Sequence, residues 1–485
     1  MIEITGRPPE LLSAREKDLI HAASCEVLET IGVKVRDPKV IETFTKTGAA
    51  MAENGRLYLR TSVVEQALAS APETIRFDAP APEHAFTLDA SAEVARFGSG
   101  GQALYLLDRS AGSWERRAAG QEDLVRLLRL CERLPYLDFV TRPVECDVPK
   151  ERMDEEKARA FAANTTKPMN LANLVDPSKL QRVIEIVGSE SYLSFIVCLV
   201  SSPLTVDDSA VERLRAVTER GIPVSISSCA QGGTTAPLSE AGELVQLNAE
   251  VLFGIAFVQT LNPGAPVLYR GIPLTADLFG DCSPRWCRPD SIRRLTLATE
   301  LCRHYRLPCC GTAGVSDERE PNAQAIAEKA LSLTYVALAG AQYINSAFGM
   351  LERVMTVAPA QYLIDNVIIE TLAETLKKRH DLTARQAAQQ VARAALARFG
   401  VDLGPEAESE LEAQVAFIED GREEYSRGAL DRELETIGSA VETDGGSRVF
   451  MKSSRKGLRA GLLYTGERIQ GELDLTCIQD DLESL

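Results

Sequence analysis

Histidine is scarce in this chain. The four present, His21, His84, His304 and His380, are not spaced as metal ligands are, so no zinc or other metal site is expected. The eleven cysteines form no Cys-x-x-Cys pair; Cys309 and Cys310 are adjacent and Cys282 and Cys287 share a loop, and reduced thiols are expected. A basic surplus is missing too. The formal net charge of −17 argues against nucleic acid, whose phosphates call for clustered Lys and Arg, while leaving room for a cationic small molecule or a basic protein surface. Long apolar runs are absent: the longest, Val251 to Val258, is well short of the ~20 residues of a membrane span. The first residues carry no apolar signal-peptide core, and a cytoplasmic location is expected. Aromatics make up only 6%, with two Trp, so each one near a site is informative.

What is present is ordinary globular material, 45% hydrophobic and 25% charged over 485 residues. A strand-and-helix barrel takes about 250 residues, leaving roughly 200 for additions. From residue 121 onward, short apolar runs alternate with helical stretches. The runs are Leu137–Val140, Pro168–Leu171, Phe195–Val200, Val224–Ile226, Val267–Tyr269, Cys309–Thr312 and Tyr343–Ser346. The helices are read at 152–164, 177–188, 207–219, 239–261, 290–305, 322–339 and 358–378. Stops such as Gly221-Ile222-Pro223 and Leu307-Pro308 fall just before strands, the punctuation of repeated βα units.

The fold class is therefore read as α/β, a TIM-type (β/α)8 barrel with seven strands visible and the eighth hidden. Residues 1–120 are read as an N-terminal helical and hairpin extension, 121–380 as the barrel and 381–485 as a C-terminal cap with two or three strands over 445–477. The stretch Phe97–Asp108 reads as a glycine loop entering a hairpin, with Gly98–Gly101 expected over the barrel mouth. A Rossmann sheet is weakened by the lack of a Gly-x-Gly-x-x-Gly after the first strand.

Barrel function collects at the C-terminal ends of the strands. The polar candidates there are Arg142, Glu145, Asn170, Asn173, Ser201, Ser202, Ser228, Gln231, Thr312, Asp317 and Asn345. Tyr105, Tyr269 and Phe348 are the aromatics placed nearest a cationic head, Arg270 is a carboxylate clamp, and Gln231 belongs to the binding set. Asp317 and Asn345 are positioning candidates. Each has a bland alternative: packing for the aromatics, an ion pair for Arg270, loop capping for Asp317 and Asn345, and a plain turn for Gln231–Thr234.

This set lacks a His base, a Gly-x-Ser-x-Gly elbow, a P-loop and a locally spaced carboxylate pair. One reaction tolerates that. A quaternary ammonium that gives up a methyl leaves as a neutral tertiary amine, so no general acid is needed. The nucleophile can be cob(I)alamin brought by another protein, leaving binding, in-line orientation and water exclusion to the polypeptide.

Several segments carry a resemblance. They are Ala230–Glu250 (AQGGTTAPLSEAGELVQLNAE), Gln259–Pro266 (QTLNPGAP), Ser316-Asp317, Gln324–Glu328, Leu338–Ala341, Gly349–Glu352, Leu28–Val35 and Phe97–Gly101. In this order they resemble the trimethylamine methyltransferase family over about residues 12–370. The resemblance implies a TIM barrel, a cognate corrinoid protein as methyl acceptor, no cofactor bound by this chain itself and a place in one-carbon metabolism; a homo-oligomer is expected. The trimethylamine-specific branch carries pyrrolysine. This chain has standard residues throughout and resembles the non-pyrrolysine branch, whose members demethylate betaines such as glycine betaine. Two departures stand out: Gly445-Gly446 is not followed by the family's Thr-His pair, and bulky Phe348 occupies a position that is small or polar in relatives. The leading expectation is a methyltransferase moving a methyl group from a betaine-like quaternary amine to a corrinoid protein. The alternatives are a non-catalytic paralogue binding the amine or the corrinoid protein, and a barrel lyase acting through Arg270.

Overall fold

The computed structural model describes residues 1–46, 48, 50–110, 113–145, 147–421, 423, 425–442, 450, 466–479 and 481. Its centre is a set of eight parallel strands: β1 (Val94–Ser99), β2 (Val140–Thr141), β3 (Met169–Asn170), β4 (Leu193–Val197), β5 (Val224–Ser228), β6 (Val267–Gly271), β7 (Cys310–Thr312) and β8 (Tyr343–Phe348). Ladders join β2 to β3, β3 to β4, β4 to β5, β5 to β6, β7 to β8 and β8 back to β1. Single parallel bridges, Tyr269 with Cys309 and Gly98 with Phe139, supply the two remaining links, so the pairings return to their start.

A helix follows each strand: α1 (Gln121–Arg133), α2 (Met153–Asn164), α3 (Leu180–Val187), α4 (Asp208–Glu219), α5 (Glu240–Leu261), α6 (Pro289–His304), α7 (Ala323–Leu338) and α8 (Pro359–Lys378). Short antiparallel pieces surround this α/β centre, among them the hairpin of Tyr105–Ser110 with Ser113–Ala118.

The hidden eighth strand is β1, within the stretch read as N-terminal extension, and glycine concealed it. A Cβ on Gly98 would fall 2.0 Å from the Phe139 ring, and one on Gly100 would fall 2.1 Å from Met350. Glycine is demanded here by close approach rather than by a turn, so Gly98 sits inside a strand rather than over a mouth.

Helices α5, α6 and α7 are buried almost all round, and α5 is long and apolar enough to cross a membrane by length and composition. Within the fold it is covered instead. The N-terminal helices Ala14–Glu26, Pro38–Thr45 and Thr61–Ser70 and the C-terminal helix Arg427–Glu442 pack on α5, Pro405–Asp420 packs on α6, and Ala384–Arg398 packs on α7. A helix hydrophobic on every face needs such a second layer. Arg293 fixes that layer, donating to Glu240 Oε2 at 2.7 Å and to the Ile418 carbonyl at 2.9 Å. The strands expected over 445–477 fall largely on residues outside the described ones; the described part, 450 and 466–477, holds no strand.

The hairpin Thr74–Phe77 with Phe86–Asp89 closes the N-terminal end of the strand ring. Its Ile75, Phe77, Phe86 and Leu88 cluster with Phe139, Leu268, Cys310 and Tyr343. Phe139 and Tyr343 stack with centroids 3.6 Å apart.

Candidate functional site

At the opposite end lies a cavity of about 360 Å³, within the size range of small-molecule sites. The ends of seven of the eight strands, or the loops that follow them, contribute to its wall: Gly101 and Gln102 after β1, Thr141, Asn173, Cys198, Ser227 and Cys229, Arg270 and Ile272, and Asn345 with Ser346. Trp286 comes from the loop between β6 and α6, and Val354 from the loop after β8.

Period-two alternation decides which side chains reach it. On β6, Tyr269 and Arg270 are neighbours facing opposite ways. Tyr269 is fully buried toward α5, its hydroxyl donating to Asn248 Oδ1 at 3.1 Å, and burial pushes its phenol well above the usual range. Arg270 lines the cavity. It is 9% exposed, donates from Nη1 to Ser227 Oγ at 3.1 Å, and keeps a buried Nε without a partner. Among the described residues no carboxylate forms an ion pair with it. A buried cation left uncompensated by its own chain is costly unless something else supplies the anion.

Of the other residues expected at the site, Asn345 is in place: it lines the cavity and donates from Nδ2 to Thr141 Oγ1 at 3.0 Å. Phe348 is not. The strand is irregular between Ile344 and Phe348, Ser346 is left-handed at φ 70°, and the Phe348 ring lies instead against Tyr362, centroids 6.3 Å apart. Its bulk therefore does not fill the cavity.

Tyr105 is also elsewhere. It opens the hairpin strand Tyr105–Ser110, where the Arg116 guanidinium covers its ring at 3.4 Å. Gln231 donates from Nε2 to the Cys282 carbonyl at 2.7 Å, and its own carbonyl accepts from the backbone of Thr234, Thr235 and Ala236. That segment is a turn.

Asp317 stands behind the wall rather than in it. Its Oδ1 accepts the Trp286 backbone N–H at 3.0 Å, and its Oδ2 is buried without a donor. Glu328 on α7 accepts from Ser316 Oγ at 2.6 Å and from the Asp317 N–H at 3.1 Å. Burial raises both carboxyls, and for Glu328 the neighbouring Asp317 charge raises it further. Two of the three seryl candidates are structural: Ser202 and Ser228 donate to the buried Glu250 carboxylate at 2.6 and 2.5 Å. Cys229 opens on the cavity, yet desolvation pushes its thiol up to about 12, which leaves little thiolate.

Trp286 is the residue that sequence reasoning passed over. It is 8% exposed, its indole Nε1 has no partner, and with Phe195 it is an aromatic of the cavity wall. The available signal was its rarity together with its place in the Cys282–Cys287 loop.

Gln102, Ala172, Ser346 and Val354 line the cavity with φ between 60° and 70°, a region costing roughly 1–2 kcal/mol for a residue with a side chain. Such strain persists only where the surroundings over-determine it. Among the described lining residues there is no His, and the single carboxylate, Asp207, caps α4 by accepting from Ser209 N at 2.9 Å. The arrangement can hold an anionic group and position a ligand; it offers no free acid–base pair.

Comparison with known proteins places the chain in a family. The family model described as trimethylamine methyltransferase (MTTB) matches residues 1–401. A glycine betaine methyltransferase of Desulfitobacterium hafniense is 26% identical over 76% of this chain and 77% of its own length. A trimethylamine methyltransferase from the same species is 29% identical over 76% of this chain and 74% of its own. A proline betaine:corrinoid methyltransferase of Eubacterium limosum is 26% identical over 74% and 76%. The chain belongs to the trimethylamine methyltransferase family and is a methyltransferase.

Proposed function

We propose that the parallel strands form a TIM-type (β/α)8 barrel whose C-terminal cavity binds a betaine-like quaternary amine. One of its methyl groups then passes to the cob(I)alamin of a partner corrinoid protein. The observation that carries this reading is Arg270: a guanidinium at the cavity wall, almost wholly buried and without an ion-pair partner among the described residues. A substrate carboxylate satisfies it, and the names of two relatives, one for glycine betaine and one for proline betaine, point to the same ligand class.

The acceptor supplies the attacking electron pair. As the new bond to carbon forms, the C–N bond breaks, its electron pair stays on nitrogen, and a neutral tertiary amine leaves. No proton moves, which matches a wall without an acid–base pair. Arg270 anchors the carboxylate, Thr141 and Asn345 hold each other at 3.0 Å on the facing wall, and the strained residues keep the wall's shape. These groups act by positioning, an effect that can be worth several kcal/mol of barrier.

The acceptor has to come in from the mouth. Three of the large apolar side chains exposed to solvent lie on loops at that end: Leu104, Phe279 and Met355, at 46%, 67% and 38% exposure. Leu104 N–H donates to the Met355 carbonyl at 3.1 Å, and the Arg353–Asp281 ion pair at 3.2 Å ties the Phe279 loop to the same rim.

The test follows cob(I)alamin absorbance with a competent corrinoid protein and a panel of betaines. Loss of the cob(I)alamin signal with at least one quaternary amine is expected. Inertness toward all of them overturns the assignment.

A further inference from the structure

Arg270 gives the cavity a place for an anion, and beside Trp286 the local chemistry is reversed. Asp317 presents a buried oxygen, Oδ2, that no donor satisfies, while its Oδ1 holds the Trp286 backbone N–H at 3.0 Å. Asp317 is itself pinned, since its own N–H donates to Glu328. Arg285, Arg353 and Arg288 lie near enough to offset part of the Asp317 charge, while each also pairs with another carboxylate: Arg353 with Asp281 at 3.2 Å, Arg288 with Asp290 at 3.4 Å, and Arg285 with Asp277.

A quaternary ammonium has no N–H. It cannot satisfy a hydrogen-bond acceptor directionally, and it is held by aromatic faces and by nearby negative charge. Trp286 and the carboxylate behind it offer both. Elsewhere in the wall Arg270 Nε is an unsatisfied donor, which suits an anion.

We propose that the cavity is polarised along its length for a zwitterion, with Arg270 receiving the carboxylate and the Trp286 ring receiving the quaternary nitrogen, and with Asp317 as the residue that positions Trp286. This rests on the betaine reading above and adds the residues that discriminate a permanent cation from a neutral group of equal shape. The indole N–H is also unpartnered, and the test separates its role from that of the ring.

Titration calorimetry compares glycine betaine with 3,3-dimethylbutanoate, which keeps the carboxylate and the shape of the head but has carbon in place of the charged nitrogen. Wild type is expected to bind betaine more tightly by roughly 2- to 30-fold, the range of a cation–π contact. Trp286→Leu brings that ratio to about one while dimethylbutanoate still binds, which also reports an intact fold. Trp286→Phe keeps most of the preference. Asp317→Asn, with the indole still present, lowers it. A ratio unchanged in Trp286→Leu, or a wild type that binds neither ligand or shows no preference, overturns the proposal. So does loss of both ligands in a folded Trp286→Phe, because the N–H would then be the working group. No corrinoid enters this assay. A chain with a Trp286-dependent preference that transfers no methyl keeps this inference and sinks the methyl-transfer reading; active transfer with a Trp286-independent ratio does the opposite.

Discussion

The two ends of the strand ring are built from the same eight strands and are chemical opposites. At the N-terminal end, Phe77, Phe86, Phe139, Leu268 and Tyr343 fill the interior, and a hairpin seals it. At the C-terminal end, Arg270 Nε, Trp286 Nε1, Asn173 Oδ1 and Thr312 Oγ1 are buried without partners, and four cavity residues hold left-handed backbone. One end maximises apolar contact and satisfied shape. The other leaves polar capacity unused, which lowers stability and makes sense only if a ligand completes it. The difference teaches where in this fold to look for stability and where for chemistry.

The largest break in that contrast comes from the sealed end. Phe139→Ala removes a stacked ring from a filled core and is expected to cost about 3–5 kcal/mol, read as a fall in the unfolding midpoint. Arg270→Ala should do the reverse of a core lesion. Betaine affinity drops by on the order of 1.5–3 kcal/mol, while the thermal midpoint stays level or rises because a buried unpaired charge is gone. Equal losses of stability in the two variants would abolish the contrast. A smaller effect, around 1 kcal/mol, is expected from Phe279→Glu on the rim: weaker saturation by the corrinoid protein in steady-state assays, with betaine binding unaltered in calorimetry.

The smallest effect sharpens the picture through pH. Glu328 is raised by burial and then by the Asp317 charge, so the folded protein holds this proton more tightly than the unfolded chain. Its stabilising contribution is complete below the ordinary carboxylate range of about 4.3 and is lost as pH rises through the elevated folded value. Glu328→Gln should flatten the decline of the thermal midpoint between about pH 5 and 8 by roughly 1–3 °C. An unchanged slope would place the titration elsewhere.

Much of the frame was legible in the sequence. The helix expected at 239–261 is found at Glu240–Leu261, that at 322–339 at Ala323–Leu338, and that at 358–378 at Pro359–Lys378. Long apolar periodicity bounded by caps survives without tertiary information. The strand Val94–Ser99 was not legible, because its glycine, Gly98, answers to a phenylalanine some forty residues away. The side of each strand was equally obscure. Tyr269 and Arg270 both sit at a strand end, and in a sheet buried on both faces nothing local says which parity faces inward. Arg270 and Asn345 reach the cavity; Tyr105, Tyr269, Gln231 and Phe348 serve packing, a cation–π contact or a turn. Trp286 lies in a loop, where periodicity is silent.

The hairpin plug has a kinetic consequence. A vessel stoppered at its base admits and releases cargo through one opening, and in the proposed reaction the demethylated amine departs by the door that the incoming corrinoid protein blocks. Under the proposed reaction traffic is then sequential: the donor enters first, the carrier protein docks, the carrier leaves with its methyl, and the spent amine exits last. Steady-state patterns should accordingly show the tertiary amine competing with the betaine and not with the carrier.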